Sequence, residues 1–145
     1  MKKLIAISLV GAVVAGVALA SSLSVPFFND TGDLGPGNDL TSFIGLKNTT
    51  DQPIDVAVRY FNAPGQEFTP TDNTFILNPQ QGLAFRPFRV DPDYEGPGAD
   101  FPKMTDGGAG SATVSWEGDP HWVQGRMVQF NANGGWFGYL LPPGF

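Results

Sequence analysis

Cysteine is absent from the 145 residues, and histidine occurs once, at His121. These two shortages remove several chemistries at once. Without thiols the chain has no disulfide, no thiolate nucleophile and no Cys-rich zinc site. Zinc takes three or four ligands, mostly His and Cys, which one imidazole cannot supply. A mixed set of Glu117, Asp119 and His121 is interrupted by Gly118 and Pro120, which break the strand face the three would have to share. A serine hydrolase needs a base beside its nucleophile, and no G-x-S-x-G elbow occurs. His121 follows Pro120 in a turn, where an imidazole is normally solvated.

Basic residues are also few, eight against fourteen acidic ones, for a formal net charge of −6. Nucleic acid and anionic bilayers are held by clustered Lys and Arg, so neither is an expected partner. Paired carboxylates could serve a glycosidase, and that enzyme class stays open as an alternative. Fourteen acids without a signature pairing read more simply as solvated loop residues of a non-catalytic protein.

Long apolar runs are confined to the start of the chain. Lys2 and Lys3 precede an uncharged run from Leu4 to Ala20 that closes on Ala18-Leu19-Ala20, the pattern of a secretory signal peptide cleaved after Ala20. The run contains Gly11 and Gly16 and is slightly short for a spanning helix; an uncleaved anchor is the alternative. No cysteine follows the cleavage point, which excludes a lipid anchor. The expected product is an exported single domain of residues 21–145, periplasmic, cell-surface or extracellular, with six basic residues against fourteen acidic ones. It lacks the eight ten-residue alternating segments of a small membrane barrel, so insertion of the mature chain into a membrane is not expected.

Helical periodicity is missing after Ala20, and Gly and Pro make up 30 of the 125 remaining residues, too many for long helices. Short β-branched or aromatic runs between turn residues take its place. The clearest is Ile54–Phe61: Ile54, Val56, Val58 and Tyr60 fall on one face, Asp55 and Arg59 on the other, as in a half-buried strand. Further strands are expected at 24–28, 40–46, 73–77, 83–88, 111–116, 122–130 and 136–141. Pro26 and Pro87 mark edges or bulges, because proline cannot donate to a ladder. Together these runs predict an all-β fold, an antiparallel sandwich of about seven to eight strands or a small barrel.

The stretch GLKNTTDQPIDVAVRYFNAPG, residues 45–65, resembles the strand–turn–strand core of bacterial Ig-like domains, and the likeness extends over roughly residues 40–90. It implies an Ig-like β-sandwich. It implies no particular role, since such folds carry many functions. No cysteine pair or core tryptophan stands at immunoglobulin spacing.

Two long loops interrupt the strands, at 29–39 and 89–110, and each contains Gly-Pro-Gly-x-Asp. Loops of such length are often functional. Their hard oxygen donors, Asp30, Asp33 and Asp39 in one and Asp91, Asp93 and Glu95 in the other, make calcium the metal to expect if any is bound. Neither loop has EF-hand spacing. No other cofactor is expected.

The aromatics point to binding. In 136–141, Trp136 and Leu140 share one face while Phe137, Tyr139 and Leu141 share the other, so the strand is apolar on both sides. Something has to cover its outer side. Loop 89–110 is the expected cover, with Tyr94, Phe101 and Met104 as its lid. If left open, the face suits stacking on sugar rings or edge-to-edge pairing with another chain. The stretch SWEGDPHWVQGR, 115–126, reads as strand, turn at Glu117–His121 and strand, a hairpin that displays Trp122 and Arg126 on one face. The expected partners are thus a protein or glycan at the cell surface, or further copies of the chain. Trp122, Arg126, Trp136, Phe137, Tyr139, Tyr94 and Phe101 are the candidate contacts.

Overall fold

The computed structural model describes residues 20–32, 40–95, 100–131 and 134–144. Among these the elements run β1 (Ala20–Asn29), β2 (Leu40–Asn48), β3 (Ile54–Phe61), β4 (Thr74–Leu77), β5 (Gly82–Phe85), a helical turn α1 (Pro92–Glu95), β6 (Ala109–Glu117), β7 (Val123–Asn131), β8 (Trp136–Leu140) and β9 (Pro143–Gly144). They form two antiparallel sheets, β4-β3-β6-β1-β9 and β5-β2-β7-β8, packed face to face as a β-sandwich. No helix among the described residues is long and apolar enough to cross a membrane.

The period-two patterns specify which side of each strand turns inward. Ile54, Val56, Val58 and Tyr60 of β3 are buried, as are Ala112, Val114 and Trp116 of β6, which lie beside them in register. Leu23, Val25 and Phe28 of β1 complete the inner face of this first sheet. Ile44, Leu46, Phe85, Val123 and Met127 meet them from the second sheet. A one-residue slip would turn these side chains outward, so burial itself pins the register. The β1·β6·β3 and β2·β7·β8 pairings have the order of strands B·E·D and C·F·G in the immunoglobulin scheme. The place of strand A, on the free side of β1, is taken by β9.

Four sequence expectations need correction. The last expected strand ends at residue 141, yet Pro143 and Gly144 pair with Leu23 and Ser22. A proline is tolerated there because β9 is an edge strand. The turn after Glu117 is not a hairpin: β6 belongs to the first sheet and β7 to the second, so residues 118–122 cross the sandwich. The run 83–88 ends as a strand at Phe85, because Arg86 turns inward to meet Asp30. Among the described residues of loop 89–110, Pro92–Glu95 form the turn α1, and Phe101 and Met104 lie with the core and the β4/β5 side rather than over β8. Met104 is buried in the core, and Phe101 lies stacked on Phe85 with ring centroids 5.2 Å apart and edge-on to Phe75 at 5.3 Å. It plugs the β4/β5 side of the sandwich and leaves β8 open. Pro26 behaves as expected: the β1·β6 register shifts between Val25 and Phe28.

Candidate functional site on the outer face of the second sheet

The outer faces of the two sheets differ in chemistry. On the first sheet the outward positions are mostly small or polar, Ser22 and Ser24 of β1, Ser111, Thr113, Ser115 and Glu117 of β6, Asp55 and Arg59 of β3, with Phe61 of β3 and Ile76 of β4 as the large apolar exceptions. That is the ordinary water-facing side of an antiparallel sheet. On the second sheet β7 buries Val123, Gly125, Met127 and Gln129 and turns Gln124, Arg126, Val128 and Phe130 outward. Register places Lys47, Gly45, Phe43 and Thr41 of β2 beside these four. Leu140, Gly138 and Trp136 of β8 stand opposite Arg126, Val128 and Phe130 on the other side. Ala84 and Gly82 of β5 stand opposite Gly45 and Lys47. No outward position on these four strands is Asp or Glu.

A groove of about 510 Å³ lies across this face, lined by Phe43, Gly45, Ala84, Arg126, Val128, Phe130 and Trp136. That volume is within the range of small-ligand sites. Gly45 and Ala84 give it a low floor, while Phe43 and Phe130, edge to face at 6.0 Å, and Trp136 form an aromatic side. Trp136 is 72% exposed and Leu140 82%, far more than side chains of that size keep without a reason. A second depression continues over Lys47, Gly82, Gln124 and Leu140, sharing Gly45, Ala84 and Arg126 with the first. Arg126 therefore stands where the two meet. Its stem lies against Gly45, where an added methyl would come within 3.2 Å of Arg126 Cγ.

Of the residues expected to make contacts, the fold brings Arg126 and Trp136 into the groove. Phe137 is on the inner side of β8 at the sheet edge and is 53% exposed. Tyr139 also faces inward; its hydroxyl donates to the Phe27 carbonyl at 3.1 Å and ties β8 to β1. Partial burial raises its phenol above the usual value, with the hydrogen bond to Phe27 acting against that. Trp122 lies outside the groove, its ring over Gly118 in the crossover. Phe101 is the plug described above. Tyr94 lies in α1, and its side chain is outside the described set, as are Asp33 and Asp39. Phe43, Gly45, Ala84, Val128 and Phe130 escape a sequence reading. The available signal is that 40–46 has no charged residue on either face.

Of the acidic loop residues, Asp30, Asp91 and Glu95 come together in one cluster with Arg86 and Lys103. Asp30, fully buried, accepts from Arg86 Nε at 2.7 Å and from the backbone N–H groups of Phe88 and Arg89 at 2.9 and 2.8 Å. Arg86 Nη2 lies 2.6 Å from Asp30 Oδ1, and Nη1 lies 3.9 Å from Asp91 Oδ2. Glu95 accepts the Arg86 N–H at 2.6 Å and pairs with Lys103, whose Nζ also donates to the Arg86 carbonyl at 2.9 Å. Burial pushes the Asp30 carboxyl up and the Lys103 ammonium down, each opposed by its partner. Asp93 is exposed, and no group of three or more His, Asp or Glu residues converges among the described residues.

Compared with protein-family models, with curated proteins and with solved structures, the chain matches none. The functional reading accordingly rests on the two sheet faces.

Proposed function

We propose that this protein is an exported, non-catalytic binding module whose ligand lies across the outer face of the second sheet. The observation that carries the reading is the contrast between the faces: one mostly polar, the other aromatic, grooved and open. Among the described residues the groove is lined by no Asp, Glu, His, Lys or Tyr, the groups that most often act as general acid or base. Binding without turnover is what such a lining supports. The Ala18-Leu19-Ala20 pattern supports export. Titration calorimetry with a panel of soluble polysaccharides tests the proposal. Trp136→Ala abolishes binding with its melting temperature unchanged, while Thr113→Ala, on the opposite face, does nothing. Equal loss from both variants, or none from either, defeats it.

One observation favours self-assembly as a second reading. At the two ends of β8 the Leu141 N–H donates to the Gly125 carbonyl and the Asn131 N–H of β7 to the Gly135 carbonyl, so the odd-numbered residues of β8 bond β7. The N–H and C=O groups of Trp136, Gly138 and Leu140 therefore point to the free edge. A second copy related by a two-fold axis at Gly138 would set Trp136 against Leu140 and satisfy all of these groups. The strand also lacks the charge or proline that normally protects an edge. Sedimentation velocity tests this reading. A monomer at every concentration rules it out, whereas a dimer dissolved by Leu140→Lys supports it.

A further inference from the structure

The charge of the groove identifies its ligand class. We infer, resting on the binding reading above, that the ligand is an acidic polysaccharide whose sugar rings stack on Trp136 and Phe130 and whose carboxylates pair with Arg126 and Lys47. The chain carries fourteen acidic residues against eight basic ones, yet the outward positions of β5, β2, β7 and β8 hold Lys47 and Arg126 and no carboxylate. Acid side chains are concentrated elsewhere, which leaves a cationic face on an acidic protein. Such segregation attracts an anion to this face and repels it from the rest.

Arg126 suits the role. It has no ion-pair partner among the described residues, in contrast to Arg59, which is paired with Glu67 at 2.6 Å, and Arg86, which is paired with Asp30. Its stem is laid along Gly45, which presents the guanidinium fork at the junction of the two depressions. A planar fork accepts a carboxylate in two parallel hydrogen bonds. Lys47 donates to the Gln80 carbonyl on the same face and adds a second positive charge. Arg126 and Phe130 are four residues apart on β7, about 13 Å, so charge and aromatic platform address successive parts of an extended chain.

A peptide fits this face less well. The central strands β2 and β7 are paired on both sides, so neither has a free main-chain donor or acceptor to offer a peptide lying across the face. Sugars need none: the C–H face of a pyranose packs on an aromatic ring, and the carboxylate supplies direction. Two cations are also too few to hold a nucleic-acid backbone.

Calorimetry of the full mature chain with oligogalacturonate, its methyl-esterified form and poly-L-glutamate tests the inference. The expected result is binding of the acidic oligomer that weakens with salt and falls by about tenfold or more on esterification. Arg126→Gln reproduces that loss without changing the melting temperature, Arg126→Lys recovers part of it, and Trp136→Ala removes binding of both forms. Equal affinity for the esterified oligomer overturns the acidic specificity and leaves the binding reading intact. Binding of poly-L-glutamate as tight as that of the sugar overturns the carbohydrate class. Absence of binding to all three overturns this inference; the binding reading then stands or falls on the wider panel.

Discussion

The side chain of Arg126 lies against the backbone of Gly45, with only 3.2 Å between its Cγ and the position a Gly45 Cβ would occupy. The neighbour in that contact is a flexible, exposed side chain, so it can yield. Gly45→Ala is expected to change stability by less than about 1 kcal/mol, the lost backbone freedom of glycine offsetting a displaced Arg126. Gly45→Leu raises the groove floor. It should abolish ligand binding while thermal unfolding stays within a few degrees of the parent. Retained affinity in Gly45→Leu would place the ligand somewhere else.

Gly110 is the opposite case. A Cβ there would come 2.0 Å from the carbonyl oxygen of Phe61 on β3, and backbone cannot step aside as a side chain does. Gly110→Ala is therefore expected to cost about 3 kcal/mol or more, by forcing β6 and β3 apart at the end of their ladder. Urea unfolding measures it. A loss below 1 kcal/mol would mean that the two strands are not held so closely.

How much of this was legible beforehand depends on the range of the interaction. The alternation in Ile54–Tyr60 and the division of Trp136 and Leu140 from Phe137 and Tyr139 are local, period-two facts, and the structure keeps both. The groove is not local: β2 is apolar or small on both faces around Phe43, so nothing in the strand says which side remains open. Asp30 and Arg86 are 56 positions apart, and an acidic loop looks the same whether it awaits calcium or an arginine. Residues 118–122 have the turn chemistry of a hairpin, but the choice between a hairpin and a crossover lies with the distant partners of β6 and β7. β9 was hidden by its own proline.

The Asp30–Arg86 pair is buried on both sides, with side chains 0% and 4% exposed. Removing one charge strands the other in a medium that solvates it poorly. Asp30→Asn or Arg86→Met alone should cost about 3–5 kcal/mol. The double variant Asp30→Asn with Arg86→Met should cost much less than the two singles added, because neither member of the pair leaves the other's charge behind. Denaturant unfolding of all four proteins forms the cycle, and strict additivity would show that the two groups do not depend on each other.

Tyr60 sets an alkaline limit. Its hydroxyl is buried and donates to the Pro102 carbonyl at 2.7 Å; burial first, and then the charges of Asp30 and Glu95, push its phenol far above the usual 10.0. The folded state therefore holds a proton that the unfolded chain releases near pH ~10. A raised folded pKa means the contribution is complete below that pH and declines as pH rises beyond it. Unfolding free energy should accordingly fall more steeply above pH ~10 in the parent than in Tyr60→Phe. Tyr60→Phe itself should cost about 1 kcal/mol at neutral pH through the lost hydrogen bond. Parallel curves for the two proteins in alkali would count against the coupling.

The crossover at 118–122 is held by the Trp122 ring and by the main chain of His121. Gly118 has φ of +120°, a conformation L side chains rarely adopt, and a Cβ on it would meet the Trp122 ring at 2.1 Å. Trp122 covers that glycine, its N–H donates to the Asp119 carbonyl at 3.1 Å, and Thr49 donates its N–H to the Trp122 carbonyl at 2.9 Å. His121 takes part only through its main chain, donating to Asp119 Oδ1 at 2.7 Å and accepting from Thr49 Oγ1 at 2.9 Å. Trp122→Ala should therefore cost about 2 kcal/mol, less than a fully buried tryptophan because the ring is 41% exposed. His121→Ala should change stability by under about 0.5 kcal/mol and leave ligand affinity untouched. Thermal unfolding and calorimetry of the two variants read both effects, and a large loss of binding in His121→Ala with the fold intact would move the functional site to the crossover.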